Sequence, residues 1–201
     1  KRINILLPIV LLGFPLLAQD ANSQKINASH LNRHHALLAE YVQFCAIPNT
    51  WNDAEQLRQN ANFIIEMMKK RGIANARTME ADVPGAIPAV YGEILTPGAT
   101  QTLIFYAHYD GQPVNPAKWA EGLSPFKPQL LTTSLDKGGQ FIDFPNANTP
   151  IDNDWRLYGR ATADDKAGVF TILNAYDAIR QSGLAPKLNL KFFFEKKKKK
   201  G

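Results

Sequence analysis

The stretch TLIFYAHYD (102–110) decides how this chain is read. Six residues that favour strands, apolar on consecutive positions from Leu103, run into His108, Tyr109 and Asp110. An apolar run of that length without alternation reads as a central strand buried on both faces. A polar cluster directly after it falls where α/β sheets collect ligands, at the carboxyl end of a strand. His108 and Asp110 are one residue apart, so on extended backbone both project to the same side.

Working outward, short β-rich segments appear at Ala76 to Met79 and Ala89 to Ile94, and another buried strand at Leu188 to Phe194. Helical spacing marks Leu31 to Phe44. It also marks a segment that Asn52 or Asp53 caps and that runs to about Arg71, with Gly72 as its stop. Lys166 to Gln181 carries a third helical pattern, closed by Gly183 and Pro186. Residues 111–154 read as loop, broken by six prolines, with Gln140 to Phe144 as a short strand inside it. Helices alternating with buried strands predict an α/β fold, a layered sheet flanked by helices.

The chain has 201 residues, 45% hydrophobic and 20% charged, the balance of an ordinary globular protein. Its net charge is +5, yet Lys1, Arg2 and the run Lys196 to Lys200 carry more positive charge than that. The body between the ends is therefore slightly acidic, and no nucleic-acid partner is expected. Residues 1–18 read as a signal peptide: a basic start, an apolar run broken by Pro8, Gly13 and Pro15, and Ala18 at the cleavage position. This predicts a secreted or periplasmic protein with no stable membrane association once the signal is removed. Residues 19–30 read as a flexible leader. Cys45 is the only cysteine, which excludes an intrachain disulfide, and its apolar surroundings make it a buried small hydrophobe.

Two further polar groups fall at strand ends or loops: Asp164-Asp165, before the third helix, and Glu195, after the last strand. Imidazole with carboxylates suits zinc better than the all-oxygen sets of magnesium or calcium. Asp110 is placed to accept from the second ring nitrogen of a metal-bound His108. The adjacent carboxylates of Asp164 and Asp165 are costly together unless a cation neutralises them. The other reading stays open at this point: His108 as a core histidine, and Asp164-Asp165 as a helix cap. His30, His34 and His35 have no carboxylate or thiol beside them and read as a solvated helix start. Glu40, Glu66, Glu80 and Glu93 read as surface residues, without a paired carboxylate or base nearby. Trp119 and Phe126 read as lining either a substrate entrance or a satellite core.

HYDGQPV (108–114), PAKWAEGLSPFKPQL (116–130), RLYGRATADDKAG (156–168) and LNLKFFFE (188–195), in that order, resemble the co-catalytic zinc metallopeptidases. That family includes aminoacylases, carnosinase-type dipeptidases, glutamate carboxypeptidases and succinyl-diaminopimelate desuccinylases. The tract with Trp119 and Phe126 is most similar to the dipeptidase branch. The resemblance implies that residues 31–195 are the N-terminal part of a zinc-peptidase catalytic domain, truncated, with the lid domain absent. It implies two zinc ions, with manganese or cobalt as substitutes. His108 would bind one ion, Asp110 would act in catalysis by orienting His108, and Asp164 would bridge both ions. Asp165 would follow through a cis peptide.

The implied reaction is hydrolysis of a peptide or N-acyl amide bond by water held between two ions about 3.5–4 Å apart. The implied substrate is a small peptide or N-acyl amino acid, and the parent enzyme is implied to be a homodimer formed through its lid. Glu195 matches the first glutamate of the family's next motif. Lys198 and Lys199 stand where that motif has its general base and a further ligand, and Gly201 fits it again. The tail 196–201 reads as an artefact or truncation, and the chain as inactive. The rival reading is a non-catalytic binding protein that uses the basic tail on anionic surfaces.

Overall fold

A computed structural model describes residues 14–196, with side chains from residue 21 onward. Helix α1 spans Phe14–Leu31, α2 His34–Ala46 and α3 Ala54–Lys70. Strands β1 (Ala74–Met79), β2 (Ala89–Ile94) and β3 (Thr102–His108) follow. The middle of the chain forms β4 (Gln129–Leu131), β5 (Phe141–Ile142) and β6 (Arg156–Tyr158), and the last elements are α4 (Lys166–Gln181) and β7 (Asn189–Glu195). The larger sheet has the order β1-β2-β7-β3, with β3 parallel to β7 and the other pairs antiparallel. A smaller antiparallel sheet has the order β5-β4-β6.

Local chemistry sets the helix limits. The Asp53 carboxylate accepts from the Gln56 amide at 3.0 Å and caps α3. Lys69 and Lys70 lie in its last turn, where the helix dipole favours cations, and Gly72 leaves the helix at φ +69°. Leu57, Ala61, Ile64 and Met68 form the buried stripe of α3. They meet Leu190, Phe192 and Phe194, the inward face of β7, together with Val169 and Leu173 of α4. A Cβ on Gly92 would lie 2.7 Å from Ile73 Cγ2 and 3.1 Å from Met68 Sδ, so glycine lets β2 pass beneath the end of α3.

The sequence expectations need three corrections. First, β3 is not central. β7 takes the centre, and β3 lies at the edge of the sheet with Leu103, Ile104 and Tyr106 exposed. Among the described residues β3 pairs only with β7, and α4 packs against it. Second, residues 19–30 are helical, within α1, which packs against α4. Of the expected signal segment, residues 1–13 lie outside the described residues and 14–18 begin α1. Third, the expected loop 111–154 holds one strand more than expected: β5 lies within the expected Gln140 to Phe144, whereas β4 is additional. Gln129–Leu131 escapes a periodicity reading because a strand of three residues directly after Pro128 is too short to show a period.

Smaller revisions follow from packing. His30 is exposed, whereas His34 and His35 are partly buried with ring centroids 4.1 Å apart, and His35 Nε2 lies 2.7 Å from the Thr149 carbonyl oxygen. Glu40 is no isolated surface acid: it binds Arg71, which is itself buried. Glu66 and Glu80 pair with Lys69 at 2.8 Å and Arg58 at 2.9 Å. Cys45 is fully buried. No helix among the described residues is long and apolar enough to cross a membrane.

Candidate metal centre

The carboxyl end of β3, the end of β7 and the start of α4 converge. In the β3–β7 ladder His108 is the register partner of Glu195, and the Tyr109 amide donates to the Glu195 carbonyl at 3.1 Å. The Glu195 side chain accepts from the Tyr106 hydroxyl at 3.0 Å. Burial, followed by the neighbouring Glu195, raises the pKa of that hydroxyl.

His108 sits between two carboxylates. Its Nδ1 is 3.2 Å from Asp110 Oδ1, and its Nε2 is 3.1 Å from Asp164 Oδ1. With the ring proton on Nδ1, His108 donates to Asp110 and turns the Nε2 lone pair toward Asp164. Two lone-pair atoms that close need a proton or a cation between them. Ligands about 2.0–2.1 Å from a tetrahedral zinc lie about 3.3 Å apart, close to the observed separation. The Asp110 side chain is buried, while that of Asp164 is 86% exposed and open to further partners. The Asp164–Asp165 peptide bond is cis.

Asp165 caps α4 by accepting from the Gly168 amide at 3.1 Å. Its other oxygen accepts from the His108 amide at 3.3 Å, so one carboxylate joins the strand end to the helix start. The helix-cap reading of this residue is met by this geometry. Among the described residues no group of three or more His, Cys, Asp or Glu is placed to hold a metal ion. His108 and Asp164 therefore form a pair of donors rather than a full set. Positions 198 and 199 lie outside the described residues.

Sequence reasoning missed several neighbours. A cavity of about 50 Å³ beside the pair is lined by His108, Asp110, Gly111, Gln112, Arg160 and Asp164. Asn49, fully buried, donates from Nδ2 to the Tyr109 carbonyl at 2.8 Å. The Gly111 amide donates to the Asn49 carbonyl at 2.7 Å, and a Cβ on Gly111 would lie 3.0 Å from Asn49 Oδ1. Lys166 is fully buried immediately after the cis peptide, and burial pulls its ammonium down to about 7 against the raising effect of Cys45. Only the pattern ADDKAG signalled Lys166, and a lysine on a helical pattern normally reads as solvated. Trp119 and Phe126 are partly buried and lie outside the cavity lining.

Known proteins share this arrangement of segments. Residues 104–197 match the model of Peptidase family M20/M25/M40. The Cys-Gly metallodipeptidase DUG1 of Candida albicans is 29% identical over 163 residues, which is 75% of this chain and 29% of that protein. The structure of the dipeptidase Dug1p from Saccharomyces cerevisiae superposes with a TM-score of 0.63 at 21% identity, covering 88% of this chain and 34% of that one. The M20 family metallo-carboxypeptidase Sso-CP2 from Sulfolobus solfataricus gives 0.56 at 26% identity, over 79% of this chain and 30% of that one. This chain thus spans about a third of the length of these relatives. The matched segment carries β3, the Asp164–Asp165 turn and β7, so the chain's similarity to the M20/M25/M40 peptidase family falls on the candidate centre itself.

Proposed function

We propose that this chain is the N-terminal part of an exported metal-dependent hydrolase that cleaves a peptide or N-acyl amide bond in a small substrate. The observation that carries this is the imidazole of His108 held between Asp110 and Asp164, at the end of a strand and beside an open cavity. Similarity to dipeptidases supports a dipeptide-like substrate. The donor set of imidazole and carboxylate fits zinc, and two ions are the proposed number. Zinc bound here would supply Lewis acidity and lower the pKa of attacking water.

The chain's own residues have distinct parts in this reading. Asp110 fixes the tautomer and rotation of His108, leaving Nε2 as a donor atom. Asp164 offers an exposed carboxylate able to bridge. Asp165 ties the backbone of both together and is itself no ligand. The general base and the remaining ligands lie beyond Glu195, where this chain has lysines, so the chain as it stands is proposed to be inactive. Protonated lysine offers no lone pair to a metal. A homodimer formed through a lid domain belongs to the same proposal for the whole enzyme.

The test is dipeptide hydrolysis by a chain carrying glutamates at 198 and 199 and the rest of a catalytic domain, with and without chelator. Loss of activity on metal removal and in His108→Ala is expected. Turnover that survives both would overturn the reading.

A further inference from the structure

Among the described residues, Lys166 is the one lysine whose side chain is fully buried. Its Nζ donates to the Phe44 carbonyl at 2.7 Å and to the Ile47 carbonyl at 2.6 Å, and lies 4.7 Å from the centre of the Phe44 ring. These carbonyls belong to the last turn and cap of α2, where helices leave acceptors unpaired and the dipole is negative. Helix α2 has no basic residue of its own in that turn. Lys166 brings N–H donors to these acceptors from the start of α4, about 120 residues further along the chain.

The same end of α2 holds both halves of the candidate centre. Tyr41 of α2 donates to the Thr162 carbonyl at 2.6 Å, two residues before Asp164. Asn49, just after α2, holds the segment from Tyr109 to Gly111 through a side-chain and a backbone hydrogen bond. One side of the centre is thus pinned to α2 through Lys166 and Tyr41, the other through Asn49. We propose that Lys166 is a positioning residue: the hydrogen bonds of its buried Nζ anchor the Asp164–Asp165 turn to the end of α2 and thereby set the separation of His108 and Asp164. The link to metal binding rests on the metal reading above; the anchoring does not.

The experiment compares the chain with Lys166→Met and with Met68→Ala, a core truncation in α3 away from the centre. Two quantities are read. One is hydrogen exchange at the His108 and Gly168 amides, which both donate to the Asp165 carboxylate. The other is zinc affinity, from competition with a chromophoric chelator. In Lys166→Met, protection at these two amides is expected to fall at least about tenfold relative to core amides, and zinc affinity by about 10–100-fold, the range for residues that orient metal ligands. Met68→Ala is expected to speed exchange across the core evenly and to leave zinc affinity within about threefold of the parent.

Unchanged relative protection in Lys166→Met overturns the anchoring. So does a zinc affinity no lower than that of Met68→Ala when the parent chain binds zinc. A parent chain that binds no zinc sinks the metal reading alone, and exchange still decides the anchoring. If Lys166→Met does not fold, Lys166→Gln keeps one donor toward the same carbonyls and reads both quantities with a smaller expected fall.

Discussion

His108 gains its meaning from two contacts made on opposite sides of one ring. In the proposed centre the Asp110 contact would select the tautomer with the proton on Nδ1, and the Nε2 lone pair would then point toward Asp164. Asp110→Ala is therefore expected to weaken zinc binding by about 10–100-fold while far-ultraviolet circular dichroism stays unchanged. An isothermal titration showing unaltered affinity would remove Asp110 from the centre. Gly168 is decided by space: a Cβ there would lie 2.2 Å from Asp165 Oδ1. Gly168→Ala must displace the cap, at about 1–2 kcal/mol in denaturant unfolding. Cys45 gives a pH signature. Burial lifts its thiol to about 11, against the lowering effects of Lys166 and the Tyr41 hydroxyl. The folded thiol keeps its proton to higher pH than the unfolded one, so its contribution is intact below about 9 and is lost as pH rises toward 11. Two pH units correspond to roughly 2–3 kcal/mol. Lys166, held below its ordinary value, works in the opposite direction over part of the same range. The readout is therefore the difference between parent and Cys45→Ala in urea unfolding from pH 8 to 11, in which the Cys45 contribution should shrink as pH nears 11. At this scale the spacing singled out His108, Asp110, Asp164 and Asp165, and the structure brings them together. The sequence hid Lys166 and Asn49, whose roles depend on backbone atoms distant in the chain.

Elements were legible where period and caps agree. Asp53 and Gly72 bound α3 as their types require, and Lys166 to Gln181 is helical throughout. The central strand was misassigned because a continuous apolar run does not reveal which neighbours it has. β7 alternates in burial yet takes the centre, while β3 is continuous in sequence and lies at the edge. The pairing of helices was also hidden, since it runs through charges. Asp177 of α4, 1% exposed, accepts from Arg33 at 2.5 Å and from Arg180 at 2.8 Å, with Arg71 Nε at 3.9 Å. Arg71 in turn donates to Glu40 of α2 and to Asn174 of α4. This network ties α2, α3 and α4 together. Asp177 is the buried member, while Arg33 and Arg180 are partly exposed and Arg71 keeps Glu40, so Asp177→Ala is expected to cost about 1–3 kcal/mol, the range for losing hydrogen bonds to a charged group. A loss below about 1 kcal/mol in equilibrium unfolding would show that the arginines find water instead.

At the scale of the whole molecule, one face of the larger sheet is packed and the other is largely open. Residues paired across the sheet share a face, so Ile104 lies with Lys191, and Tyr106 with Phe193, on the side opposite Phe192 and Phe194. Ile104 is 64% and Tyr106 54% exposed, and β3 offers an edge that pairs with no further strand among the described residues. An apolar edge with free backbone donors and acceptors templates association with another copy. Sedimentation velocity on this chain is therefore expected to show an apparent mass that grows with protein concentration. The substitution that tests the cause is Ile104→Glu rather than lysine, because position 104 faces Lys191 in register and a second cation there would repel it. A glutamate gains that partner and places charge on the edge. Being exposed, it is expected to change folding stability by less than about 0.5 kcal/mol. Association should fall in Ile104→Glu and persist in a control such as Val83→Glu, whose side chain is equally exposed but lies outside the sheet. If both variants associate like the parent, the contact lies elsewhere and the β3 edge is inert in solution.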